Sequence, residues 1–110
     1  MKRALIIDEP WISKILSGEK TWEMRTRPTK IRGLIGLIRK SSGLIIGQCE
    51  LIDSPIISME DLVTFTNFHC IEDITLLTKW RFPWILKDAK LYDIPIPYKH
   101  PLGAVIWVKL

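Results

Sequence analysis

At 110 residues the chain can bury one modest hydrophobic core, and residues 1–110 read as a single domain. A composition of 47% hydrophobic and 25% charged residues is that of an ordinary folded protein and excludes a disordered or low-complexity polypeptide. The net charge of +4 favours an anionic partner without requiring one, and two cysteines are too few for a disulfide scaffold.

In chain order, Arg3 to Asp8 (RALIID) predicts a first strand. The apolar run of MKRALIIDEPW is too short for a signal peptide, and no stretch has the length of a membrane span. With no C-x-x-C pair, the expectation is a reduced, cytoplasmic protein without membrane association. Pro10 suits the first position of a short helix, where its missing N–H costs nothing. Trp11, Ile12, Ile15 and Leu16 recur at helical spacing, and Gly18 suits the left-handed residue that ends a helix. From Lys20 to Arg25 the period changes to two: Trp22 and Met24 face one way, Thr21, Glu23 and Arg25 the other. A core takes the first pair. Glu23 and Arg25 need a surface or a polar cleft.

Thr26 to Arg32 reads as a basic loop, and Gly33 to Lys40 (GLIGLIRK) as a buried strand. The turn Ser41-Ser42-Gly43 joins it to a strand over Leu44 to Asp53, making a hairpin. Cys49 shares strand parity with Ile45 and Leu51, which predicts a buried structural thiol. Ser58 and Asp61 resemble a capping box with Asp in place of Glu, so a helix starts at Ser58. A second short helix is expected over Ile71 to Lys79. A strand follows from Trp84 to about Tyr92, then an extended path at Pro95 and Pro97, which cannot occupy a central strand. Gly103 to Leu110 closes the chain as a strand. Strands at both ends, a central hairpin and inserted helices fit either an α+β sheet or a small barrel.

The group Lys20, Thr21, Glu23 and Arg25 is the main candidate site. Residues two apart on a strand share a face, so Glu23 and Arg25 can simply neutralise each other at a surface. In a cleft they offer more. Lys20 supplies a compact charge, Arg25 a planar fork suited to a phosphate or a base edge, and Glu23 an acceptor for a base amino group or a general base. Lys20, Arg25, Arg27, Lys30, Arg32, Arg39 and Lys40 crowd the first half of the chain around this motif. His69, His100, Cys49 and Cys70 have no metal-ligand spacing, and no glycine-rich phosphate loop is present. No metal and no cofactor is expected.

The stretch Pro10-Trp11, a short helix, then Gly18-x-Lys20-Thr21-x-Glu23-x-Arg25 resembles the signature of the ASCH domain. Gly47 to Pro55 (GQCELIDSP) resembles that family's central strand and turn. Trp84 to Leu91 with Ile94 to Leu110 resembles its closing segment. The resemblance implies a PUA-like β-barrel, mainly β within the α+β class, with short helices at the barrel openings. It also implies a cleft beside the first helix lined by Lys20, Glu23 and Arg25. RNA, or a nucleoside or nucleotide-like ligand, is then the expected partner, with Arg27 and Lys30 extending the contact along the backbone.

The resemblance allows an enzyme as the alternative. Some small family members are amidohydrolases of acylated cytidines such as N4-acetylcytidine. In them a lysine matching Lys20 works with a threonine three positions later, where this chain has Glu23. Thr21 is the nearest threonine, and Glu50 is a candidate for a third, acidic residue. Other members are ribonucleases; in a metal-independent one a Lys/Arg pair, here Lys20 and Arg25, would stabilise a phosphorane while an acid takes the 2′-hydroxyl proton. A third reading is a protein-interaction module, favoured by a filled cleft and an exposed apolar patch near Trp80 to Trp84.

Among the tryptophans, Trp22 and Trp107 sit in apolar strands and predict core positions. Trp80 and Trp84 flank a turn and predict partial exposure. Trp11 lies beside the proposed cleft, where its ring can stack on an unpaired base. Tyr98 and Lys99, next to His100, are further ligand-binding candidates that the resemblance puts near the cleft mouth, with Lys87 a weaker one.

Overall fold

The structure, a computed structural model, describes residues 1–110. The elements run β1 (Arg3–Ile7), α1 (Trp11–Leu16), β2 (Trp22–Arg25), β3 (Gly33–Arg39) and β4 (Leu44–Asp53). Then come α2 (Met59–Thr64), α3 (Thr66–His69), a 3-10 turn (Ile74–Thr78), β5 (Phe82–Pro97) and β6 (Trp107–Lys109). The strands form one six-stranded mixed sheet in the order β2-β5-β4-β3-β1-β6. β1 and β3 pair in parallel and every other pair is antiparallel. The result is a PUA-like α+β half-barrel with short helices, left open between β2 and β6.

Alternation assigns each strand's side chains to different clusters. Leu5 and Ile7 of β1 enter the main core with Ile12 and Ile15 of α1, Ile35, Leu37, Cys49, Leu51, Trp84 and Leu86. Ala4 and Ile6 face the other way and pack with Ile38, Ile45 and Val108 under Tyr98 and Ala104. Both faces of β1 are therefore covered, and its sequence reads as an almost unbroken apolar run. Trp22 and Met24 of β2 leave the main core and build a third cluster with Leu62, Ile71 and Leu77 of the helical segment. The helix α1 lies so close to β4 that a Cβ on Gly47 would come within 2.5 Å of Leu16 and of the Lys90 carbonyl. Only glycine fits there.

Most predicted elements stand where the pattern puts them, and β4 has the expected bounds. Ser58 caps α2 by accepting from the Asp61 N–H at 3.2 Å. Several details differ. Pro10 caps α1 from outside rather than opening it, and β2 starts at Trp22, two residues after Lys20. The expected helix over Ile71 to Lys79 is only a 3-10 turn, held by Asp73 accepting from the Thr75 N–H at 3.0 Å. An unpredicted helix, α3, precedes it and ends with Cys70 at φ +60°.

β5 runs to Pro97, well past Tyr92. This agrees with proline's missing donor, because β2 covers only Phe82 to Ile85 and leaves one edge of the distal half of β5 unpaired. β6 is shorter than expected, since Gly103 at φ +81° turns the chain before it. Trp84 is buried at 4% exposure rather than partly exposed, stacked on the half-buried Trp107 at 5.7 Å. No helix is long and apolar enough to cross a membrane.

Candidate functional site

Gly18, at φ +85°, ends α1 and turns the chain so that the Lys20 N–H returns to the Lys14 carbonyl at 3.0 Å. This return delivers the Lys20 side chain into the fold before strand geometry begins. At 1% exposure it is one of the most buried side chains in the protein. Its ammonium donates to the His69 carbonyl, lies 3.9 Å from Glu23 Oε1 and stands 4.9 Å from the centre of the Trp11 ring. Burial pushes its pKa down to about 8, against the opposing pull of Glu23.

The peg that meets Lys20 is itself specified. His69 is fully buried, its Nδ1 accepts from the Ile71 N–H at 2.9 Å, and its Nε2 lies 2.7 Å from the Leu62 carbonyl. A carbonyl can only accept, so Nε2 carries the proton and the ring is neutral. Burial lowers its pKa, consistent with that tautomer.

On the inner face of β2, Arg25 donates to Glu23 Oε2 through Nη2 at 2.8 Å and Nε at 3.1 Å. The same Nη2 donates to the Ile6 carbonyl at 2.9 Å. β2 is one edge of the sheet and β1 lies near the other, so this bond spans the gap that the open barrel leaves. The Ile6 N–H pairs with the Ile106 carbonyl, and its own carbonyl, on the same side of the strand, is left for Arg25. The guanidinium rests 5.5 Å above Trp84, whose indole N–H donates to the Arg27 carbonyl at 2.8 Å. Glu23 is only 5% exposed, and with burial its charge helps push the Cys49 thiol up to about 12.

Lys20, Glu23 and Arg25 line a cleft of about 270 Å³ in that gap, with Ile6, Asp8, Trp11, Met24, Lys40, Ile71, Trp80 and Val105. Its hydrogen-bonding capacity is not exhausted by the fold. Glu23 Oε1 accepts no hydrogen bond, Arg25 Nη1 donates none, and no fully buried polar side-chain atom is left unsatisfied. Glu23 Oε1 is therefore open to the cleft solvent.

The family model of the ASCH domain matches residues 5–93. The chain belongs to the ASCH domain family. No protein of curated function matches it in sequence. Among solved structures it is similar to the ASCH protein of Zymomonas mobilis, with TM-score 0.74 and 15% identity over 98% of this chain and 86% of that one. A Tyr-to-Phe variant of that protein gives TM-score 0.74 at 16% identity, covering 98% and 88%. A Ser-to-Ala variant gives 0.73 at 15%, covering 98% and 87%. At such identity the likeness is one of fold.

Within this ASCH chain the cleft brings together Trp11, Lys20, Glu23 and Arg25 from the sequence-derived candidates. Thr21 is not among its lining residues; its backbone is tied to the Phe68 carbonyl and the Leu86 N–H. No serine or threonine lines this cleft. Arg27 and Lys30 lie in the loop outside it. Tyr98 lines a neighbouring cavity, and Lys99 lines neither. Glu50 is on β4 near Lys87, at 3.9 Å, and away from the cleft lining.

Asp8, Lys40, Trp80 and Val105 line the cleft without having been singled out for it. Lys40 carried a signal, as the last residue of the basic run, and Trp80 another, as a tryptophan in a turn. Asp8 and Val105 carried none, because strand pairing between distant segments brings them there.

Proposed function

We propose that this ASCH domain binds RNA or a nucleotide-like ligand by admitting one base, plain or modified, to the Lys20–Glu23–Arg25 cleft. The observation that carries this reading is the pairing of an unspent acceptor, Glu23 Oε1, with an unspent donor, Arg25 Nη1, in a cleft walled by Trp11 and Trp80. A base edge presents a donor beside an acceptor, and its faces stack on aromatic rings. Lys20, Arg25 and Lys40 against Glu23 and Asp8 leave one net positive charge among the lining residues. That balance suits a base with one attached phosphate better than a naked polyphosphate. Arg27 and Lys30 would meet the backbone on either side.

The test is calorimetric titration of nucleosides, including N4-acetylcytidine, and of short single-stranded RNAs into wild type, Glu23→Gln and Lys20→Met. Binding that falls at least roughly tenfold in both variants, with RNA affinity declining as salt rises, supports the proposal. Undiminished binding in folded variants refutes it.

A hydrolase is the second reading, and one observation favours it. A lysine whose pKa is pushed down to about 8 is partly neutral near physiological pH and can take a proton. Lys20 would then activate water or a 2′-hydroxyl, and Arg25 would stabilise the developing negative charge. The two readings diverge with pH. Turnover that needs neutral Lys20 rises through about pH 8, whereas anion binding that needs the ammonium falls over the same range. Mass-spectrometric detection of product from N4-acetylcytidine and RNA decides between them.

A further inference from the structure

A second cavity of about 390 Å³ adjoins the cleft and shares Ile6, Lys40 and Val105 with it. The rest of its lining is Ser41, Gly43, Tyr98, His100 and Ala104, with no carboxylate. The two spaces therefore lie on either side of one wall, and the charge on that wall is Lys40.

The far side of the second cavity is a built pair. His100 Nε2 lies 2.9 Å from the Ala104 carbonyl, so it carries the proton, and Nδ1 accepts from the Tyr98 hydroxyl at 2.9 Å. The phenol's hydrogen is thereby spent inward, and its oxygen is left able only to accept. The Tyr98 side chain packs against the cluster of Ala4, Ile6, Ile38, Ile45 and Val108, which gives the cavity an aromatic wall. Lys40 is not committed. Its only ion pair is with Asp8 at 3.9 Å, both side chains are more than half exposed, and such a pair contributes little. An incoming phosphate can take its place.

Resting on the nucleotide-binding reading above, we infer that the ligand is a dinucleotide step of single-stranded nucleic acid. One base enters the Lys20–Glu23–Arg25 cleft, the next lies against Tyr98 and His100, and the phosphodiester between them sits at Lys40. A lone nucleoside fills only the first space. The step fills both and adds one stacked base and one charge contact.

The experiment titrates wild type with the common nucleosides and N4-acetylcytidine, with the matching dinucleoside monophosphates, and with dinucleosides joined by an uncharged methylphosphonate. Calorimetry reads affinity, and NMR reads the Tyr98, His100 and Ala104 resonances. The expected result is a gain of roughly tenfold or more from nucleoside to dinucleoside monophosphate. That gain should shrink with the methylphosphonate and in Lys40→Gln, an exposed change that leaves the fold intact, and the second-cavity resonances should move only with the dinucleosides. If nucleosides bind but dinucleosides bind no tighter, or leave Tyr98 and His100 unmoved, the inference fails while the base-binding cleft stands. If neither binds, the nucleotide-binding reading fails and this inference with it.

Discussion

Two kinds of ion pair occur in this protein, and they differ in what surrounds them. Around Glu23, side-chain exposures of 0% for Lys20, 7% for Glu23 and 19% for Arg25 place three charges almost out of water. At Arg39–Glu9, Lys40–Asp8 and Lys87–Glu50, both partners of each pair are more than 40% exposed. The exposed pairs are screened, hold long side chains against their entropy and contribute little. The buried group has shed solvation that only its internal geometry returns, so it is intolerant of losing Glu23, the one anion its two cations share. A fold has no need of such a group when apolar residues would fill the space at lower cost. Its presence beneath an open cleft is what makes it a candidate for ligand recognition.

The comparison breaks most sharply at Glu23. Glu23→Ala leaves Lys20 and Arg25 without their shared counter-ion and should cost about 3–5 kcal/mol in chemical denaturation. A loss below about 1 kcal/mol would mean that the two cations are solvated in practice and that the buried group behaves like the surface pairs.

Lys20→Met addresses the cation directly. Burial pushes the folded-state pKa of Lys20 from the ordinary 10.5 down to about 8, so between those pH values the unfolded chain holds the proton more tightly. Wild-type stability should therefore rise relative to the variant as pH goes from about 8 to 10.5, by a change on the order of 3 kcal/mol. Near neutral pH, where the burial cost is present in full, the variant should be about as stable as wild type or more so. Parallel pH–stability curves for the two proteins would overturn the account of Lys20.

His69→Leu removes the peg rather than the charge. It leaves the Leu62 carbonyl and the Ile71 N–H without partners, at about 1–3 kcal/mol each. Because burial holds the histidine below its ordinary pKa of 6.5, wild type should lose stability as pH falls through that value, and His69→Leu should lose this component. Thermal unfolding between pH 5 and 8 reads both effects.

The smallest effect belongs to the surface. Lys87→Gln, which breaks a 3.9 Å pair with Glu50 at the exposed end of the comparison, should change stability by no more than about 0.5 kcal/mol. A larger loss would show that exposure alone does not separate the two classes.

Much of the local structure was legible in the chain because it is decided within a few residues. Period two in β2 separates Trp22 and Met24 from Glu23 and Arg25. Ser58 and Asp61 mark the start of α2, and Gly18 marks the end of α1. The motif from Gly18 to Arg25, with its two later segments, was specific enough to indicate the ASCH family. Parity alone sets Lys20 out of phase with Glu23, but the turn at Gly18 keeps strand geometry from starting before Trp22, so the two side chains still meet.

What tertiary structure alone decided is everything that depends on which strands are neighbours. Trp84 reads as a turn tryptophan, yet it is the buried platform beneath Arg25, because β5 is held between β2 and β4. Ile6 and Arg25 are separated by helix α1 in the chain and joined by a hydrogen bond in space, because the curled sheet brings its two edges together. Asp8, Lys40 and Val105 reach the cleft by the same curvature. Local periodicity records which way a side chain faces on its own strand. It holds no information about what lies across the gap, since that is set by non-local pairing and by the packing of clusters drawn from the whole chain.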